Sequence, residues 1–212
     1  WLLHRESDQK QVMIDGREKA PLAAHKDMYL DASGNVIANA SINGPLSAGI
    51  PGTPAALVHL AENYAVLPLQ QTLAPAIVLA EQGFEVGEFY QKMAGWRVQA
   101  LRDSFSASEI FLQDDDVPET GYRVRQPDLA KTLRHLAEKG FDGFYRGEVA
   151  ERLVKGVRDN GGIWTEKDLS GYEVIERPPV VFNYNNKKII SAALPSSGGV
   201  VMAQIFNILS AY

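Results

Sequence analysis

Apolar positions follow a period of two near both ends of the chain and a helical period in between. Leu2-Leu3-His4-Arg5 and Gln11-Val12-Met13-Ile14-Asp15 flank the polar run 6–10, so residues 1–24 predict a hairpin with a polar tip. Residues 31–54 lack periodicity and carry the turn signals Ser33-Gly34-Asn35 and Asn43-Gly44-Pro45. The turn Gly49-Ile50-Pro51-Gly52 then opens a helix, with Thr53 expected as its N-cap and Pro54 as its first helical residue. Within a helical region spanning 54–170, this first helix fades by Ala65, and a second runs over 75–82 to Gly83. A long helix over 87–105 is expected to carry Phe89, Met93, Trp96, Val98 and Leu101 largely on one face. Amphipathic helices over 128–139 and 143–159 each end at glycine. Residues 173–212 return to strands, with a hairpin over 180–192 turning at Asn185-Asn186-Lys187 and an apolar closing helix from Val200. No internal repeat is found.

Composition narrows the function classes. A length of 212 residues allows one large domain or two small ones. The net charge of −5 argues against a nucleic-acid binder, which needs a basic stripe. With 45% hydrophobic and 22% charged residues, wholesale disorder is excluded. No apolar run approaches the ~18 residues of a membrane span. The absence of cysteine removes disulfides, thiolate nucleophiles and Cys-ligated zinc. The chain opens on Trp1 without Met or a signal peptide and closes in an apolar run, and both ends read as cut from a longer protein.

Most candidate chemistry reduces to ordinary structure. His4, His25, His59 and His135 never fall at metal-binding spacing, and Asp114-Asp115-Asp116 lacks the spaced ligands of a calcium loop. The glycine turns at 49–52 and 198–199 match no phosphate-loop pattern and read as helix entries. Ser196 and Ser197 have no histidine nearby in sequence and no nucleophile-elbow glycines, so a helix cap is expected of one of them. Asn39-Ala40-Ser41 fits a glycosylation sequon, a match that arises often by chance. Arg17, in Asp15-Gly16-Arg17-Glu18-Lys19-Ala20-Pro21, lies just past a strand. Its planar fork suits a carboxylate ligand, and equally a structural pairing with a nearby acid.

Six motifs nevertheless occur in a telling order: Arg17-Glu18-Lys19-Ala20-Pro21, Gly49-Ile50-Pro51-Gly52, Ala80-Glu81-Gln82-Gly83-Phe84, Phe144-Tyr145-Arg146-Gly147, Gly161-Gly162 with Thr165 and Asp168-Leu169, and Pro195-Ser196-Ser197-Gly198-Gly199. In this the whole chain resembles the gamma-glutamyltransferases (gamma-glutamyl transpeptidases). The resemblance implies an α+β fragment, helix-rich, of the four-layer αββα fold of N-terminal-nucleophile hydrolases. It implies a precursor that cleaves itself, with residues 1–212 a single portion of the large subunit and the small subunit its partner in a heterodimer. The small subunit's N-terminal Thr would attack a gamma-glutamyl donor such as glutathione and pass the acyl group to water, an amino acid or a peptide. Arg17 would hold the donor's α-carboxylate. No metal or organic cofactor is implied, and the expected location is periplasmic or secreted.

The departures from the family pattern are specific. Neither the glycine-rich run before the first strand nor the Thr-x-His-x-Ser cleavage motif is present, and Thr53 and Thr165 are internal and match no such motif. No catalytic residue is therefore expected in these 212 residues. Two other readings stay open on the residues alone: a related acylase of the cephalosporin type, and a non-catalytic helical binding module.

Overall fold

The computed structural model describes residues 1–211. Strands β1 (Leu2–Arg5) and β2 (Lys10–Asp15) form the expected antiparallel hairpin, with Leu3 opposite Val12 and Arg5 opposite Lys10. After a long irregular stretch come α1 (Thr53–Asn63), α2 (Leu69–Gln82) and the short strand β3 (Phe84–Glu85). Next are α3 (Glu88–Arg102), α4 (Phe105–Phe111), β4 (Arg123–Val124), which pairs with β3, and α5 (Pro127–Lys139). The chain continues through α6 (Asp142–Tyr145), α7 (Gly147–Asp159) and α8 (Glu166–Ser170). It then returns to β5 (Ile175–Arg177), β6 (Val180–Tyr184) and β7 (Lys187–Ser191), and ends in α9 (Gly198–Leu209). Tyr212, the last residue of the expected closing segment, lies outside the described residues.

Strand β5 docks antiparallel on β2, giving the order β1-β2-β5. This brings residues 13–15 beside residues 175–177, a pairing that no local pattern announces. The turn between β6 and β7 is built as expected: Asn185 and Asn186 both take positive φ, 46° and 59°, the geometry of the tightest hairpins.

The main core gathers Ile50, Val58, Leu73, Leu136, Tyr145, Trp164, Leu169 and Tyr172, and a smaller one beneath the sheet joins Val12 and Ile14 to Ala56. Tyr145 is fully buried, stacked on Phe141 at 4.4 Å and on Tyr172 at 5.7 Å between ring centroids. Its hydroxyl donates to the Pro51 carbonyl at 2.6 Å and accepts the Ala55 amide at 3.1 Å.

Four local expectations are corrected. First, α1 begins at Thr53 itself, and its N-cap is Gly52, which has no side chain to cap with. Second, α2 begins at Leu69 rather than Pro75, which sits inside it. Leu73 anchors that early turn in the core, while Pro75 faces solvent, where water can satisfy the carbonyl left without an N–H partner. Third, residues 143–159 are two helices, because Gly147 at φ 62° starts α7 afresh after Arg146. Fourth, the long helix expected over 87–105 stops at Arg102, with Phe105 starting α4, and its apolar face is not a core face: Phe89 and Trp96 are 76% and 71% exposed, and Ala94 is the buried residue of α3.

The surface is large for the mass. A folded monomer of 23.3 kDa exposes on the order of 9,700 Å². This chain exposes 13570 Å², roughly 40% more than that scaling gives. Part of the exposed apolar surface lies on α9, where Val201, Ile205, Ile208 and Leu209 all stand exposed while Phe206 packs against Phe182 and Tyr184. Among the described residues no helix is long and apolar enough to cross a membrane.

Candidate functional site

Arg17 opens onto a cleft of about 370 Å³ lined by Ile14, Asp15, Gly16, Glu18 and Thr53 and, from across the fold, by Pro195 and Ser196. Two motifs far apart in sequence thus meet at one place. The cleft has no histidine in its lining. His4 and His59 are paired elsewhere, with Glu6 and Glu176, each at 2.9 Å. Among the described residues no group of three His, Asp or Glu side chains gathers in a way that holds a metal.

The Arg17 side chain is more than half exposed, and its Nε lies 3.3 Å from Glu18 Oε1, a pairing at the surface. The main chain of Arg17 is held far more firmly than its side chain. Neither its N–H nor its C=O joins a backbone–backbone hydrogen bond. Instead the N–H donates to Asp15 Oδ1 at 3.1 Å, and the C=O accepts the Tyr172 hydroxyl at 2.7 Å.

Both of these partners are themselves fixed. Asp15 Oδ2 accepts Arg177 Nε at 2.8 Å, across the β2–β5 pairing, and the Asp15 side chain is only 10% exposed. Burial pushes the Asp15 carboxyl upward, but the Arg177 hydrogen bond, the Arg17 amide and the charges of Arg177 and Lys19 outweigh it, so its pKa is lowered. Tyr172 is 4% exposed. Burial, followed by the charges of Asp15 and Glu18, raises its pKa, so its hydroxyl stays a donor. Lys19 Nζ sits 4.6 Å above the Tyr172 ring and donates to the Glu173 carbonyl at 2.8 Å.

The glycine turn after residue 48 exists for this packing. A Cβ on Gly52 would overlap the Tyr172 hydroxyl and the Gly16 carbonyl, and one on Gly16 would meet Ala56 Cβ at 2.5 Å. The segment 16–18, the turn and the end of α8 therefore approach one another more closely than side chains allow. Ile50 completes the join by exchanging two hydrogen bonds with Lys19, at 3.1 and 2.7 Å.

The remaining motifs are structural. Thr165 and Asp168 form a capping box, with Asp168 Oδ2 accepting the Thr165 amide at 2.7 Å. The other Asp168 oxygen accepts the Leu22 amide at 2.6 Å, which ties down the chain just after Pro21. Ser197 occupies the N-cap position of α9, but its side chain makes no capping bond. Of the residues singled out from sequence, the cleft gathers Arg17, Thr53 and Ser196. Tyr172 and Asp15 were missed, although Asp15 stands two residues before Arg17 and Tyr172 closely follows the Thr165–Asp168 motif.

Chemically, the site offers an accessible guanidinium on an immobilised backbone at the edge of a cleft, beside a carboxylate and two hydroxyls. A guanidinium of this kind can pair with a carboxylate through two parallel hydrogen bonds, and the carboxylate of Glu18 beside it can pair with a cation.

Known proteins resemble this chain over its whole length. The family model for gamma-glutamyltranspeptidase matches residues 1–212. The chain is 42% identical over 207 residues to a glutathione hydrolase proenzyme from Pseudomonas sp. (strain A14), covering 97% of this chain and 36% of that protein. It superposes on the crystal structure of Helicobacter pylori gamma-glutamyltranspeptidase with a TM-score of 0.95 and 38% identity, covering all of this chain and 61% of that one. The enzyme from Pseudomonas nitroreducens, determined as a complex with L-DON, gives a TM-score of 0.89 at 35% identity, over 98% of this chain and 60% of that one. The chain thus spans about a third of the length of the curated relatives it matches. Its α+β architecture is that of the N-terminal-nucleophile hydrolase fold these structures carry. The chain belongs to the gamma-glutamyltranspeptidase family.

Proposed function

We propose that residues 1–212 are the large-subunit portion of an enzyme that cleaves gamma-glutamyl amides such as glutathione and transfers the gamma-glutamyl group to water, amino acids or peptides. Arg17 binds the donor's α-carboxylate. The nucleophilic Thr comes from the small subunit of the same precursor, so the 212-residue chain alone turns over no donor, and the mature protein is a periplasmic or secreted heterodimer. The observation that carries this reading is the accessible Arg17 guanidinium on a firmly held backbone at a cleft. The surplus exposed surface and the apolar face of α9 support a partner subunit of the same precursor. The names of the relatives support the substrate class.

Arg17→Lys in the complete, matured protein tests the reading. Lys keeps the charge and loses the fork, so kcat/KM for a gamma-glutamyl anilide should fall roughly ten-fold or more, a charged hydrogen bond being worth roughly 1.5–3 kcal/mol. Maturation should be intact, since a substrate-binding side chain has no part in cleaving the precursor. Wild-type kcat/KM in folded, cleaved Arg17→Lys protein would end the carboxylate-binding role. Faster hydrolysis of a glutaryl amide than of the gamma-glutamyl anilide by the wild type would move the protein to the acylases.

A further inference from the structure

Arg17 presents a contrast that a purely structural account leaves unexplained. Its side chain is exposed and meets only Glu18 at the surface, while both polar groups of its main chain are taken by the side chains of Asp15, which is largely covered, and Tyr172, which is buried. Those two holds converge from one stretch of chain. Tyr172 reaches the C=O directly, and Arg177 fixes Asp15, which takes the N–H. Burial of the Tyr172 ring does not require this. The ring fills the core against Tyr145, and phenylalanine would fill the same space. The hydroxyl, by contrast, threads past Gly52 to a carbonyl that no strand or helix uses.

We propose that Tyr172 and Asp15 are positioning residues for Arg17: together they clamp its peptide unit, so that the guanidinium meets the substrate carboxylate from a preset origin. The inference rests on the carboxylate-binding reading of Arg17. A long side chain has several rotatable bonds, and each uncertainty in its backbone adds to the volume the charged group explores. Fixing the backbone on both sides removes that part of the ordering that binding would otherwise require. Loss of the clamp should therefore appear in recognition of the carboxylate, and thus in KM, ahead of any effect on the reacting carbonyl.

The test compares two donors on the complete, matured protein: gamma-glutamyl anilide and 4-aminobutanoyl anilide, which lacks only the α-carboxylate. Tyr172→Phe should lower kcat/KM for the first by three- to ten-fold, mostly through KM, and leave the second within two-fold, so the preference for the carboxylate shrinks. Arg17→Lys should shrink it further, and adding Tyr172→Phe to Arg17→Lys should change it no more. If Tyr172→Phe lowers both donors equally, or its effect multiplies fully with that of Arg17→Lys, the clamp is refuted. If Arg17→Lys itself leaves the preference intact, the carboxylate-binding reading falls first and the clamp with it. Should Tyr172→Phe fail to mature, Asp15→Asn carries the same comparison. It is nearly isosteric, weakens the hold on the Arg17 amide and predicts the same selective loss of the carboxylate preference.

Discussion

Around Arg17 the polar groups of an exposed loop are paired and two glycines are pressed between neighbours, whereas along α9 several apolar side chains stand exposed among the described residues. No buried side-chain nitrogen or oxygen among the described residues lacks a partner. The two regions therefore differ in apolar cover rather than in polar bookkeeping. The first is finished by contacts inside this chain, between residues 15–19, 50–52 and 172–177. The second has an inner face packed on the β6–β7 hairpin and an exposed outer face. A change near Arg17 should thus act on this chain's own stability, and a change on α9 should act on what the chain associates with.

The sharpest way to break that comparison is Gly52→Ala. The new methyl would overlap the Tyr172 hydroxyl and the Gly16 carbonyl, so the turn and the Arg17 loop must part. Overpacking of this severity costs about 3 kcal/mol, which lowers the thermal midpoint by roughly 6–12 °C in a chain of this size. Thermal unfolding of the 212-residue chain measures it, and an unchanged midpoint would show that the close approach is not needed.

A smaller effect on stability, with a large one on association, is expected at α9. Ile205 and Ile208 are 49% and 64% exposed. Replacing both with Glu should leave the midpoint of the isolated chain almost unmoved, since exposed substitutions stay within about 0.5 kcal/mol. Light scattering should show the isolated chain self-associating, and the double variant doing so far less. Equal association of the two proteins would mean that the uncovered face is inert.

The gentlest probe is acid. Asp15 has a folded pKa below its unfolded value, so its contribution is fully present above about pH 4 and is lost as the pH falls through the folded value. Asp15→Asn should therefore be less stable than the wild type at neutral pH, with the two stabilities converging as the pH falls through the lowered pKa of the folded Asp15 carboxyl. Parallel curves over the whole range would remove Asp15 from the acid response.

What could be read from the sequence was what neighbours in the chain decide. The β1–β2 hairpin, the Asn185-Asn186 turn and α5 and α7 follow from alternation, turn chemistry and helical spacing within a dozen residues or so. The place of Arg17 just past the end of β2 was legible because its motif is short and contiguous. The misreadings share another cause. Helix α2 starts early because Leu73 finds the core, and Phe89 and Trp96 face outward because neither joins the core among the described residues. The clamp on Arg17 depends on pairings across 155 residues for Tyr172 and 162 for Arg177 with Asp15, and local pattern carries no trace of such distances. Gly52 was visible as part of a turn signal, but the hydroxyl that requires it was not.

Helix α1 draws a further consequence from the same crowding. Its N-cap is Gly52, which can offer no side-chain oxygen, and the Ala55 amide is satisfied instead by the hydroxyl of Tyr145, 90 residues further on. On a ribosome adding about 5–20 residues per second, the first turn of this helix emerges and waits roughly 5–20 s for that hydroxyl to be synthesised. Through that interval the turn leading out of the Arg17 loop has an open donor at its head and no partner for the Pro51 carbonyl. The order of translation thus leaves the entrance to α1 frayed in the nascent chain, and a single phenol arriving late closes it.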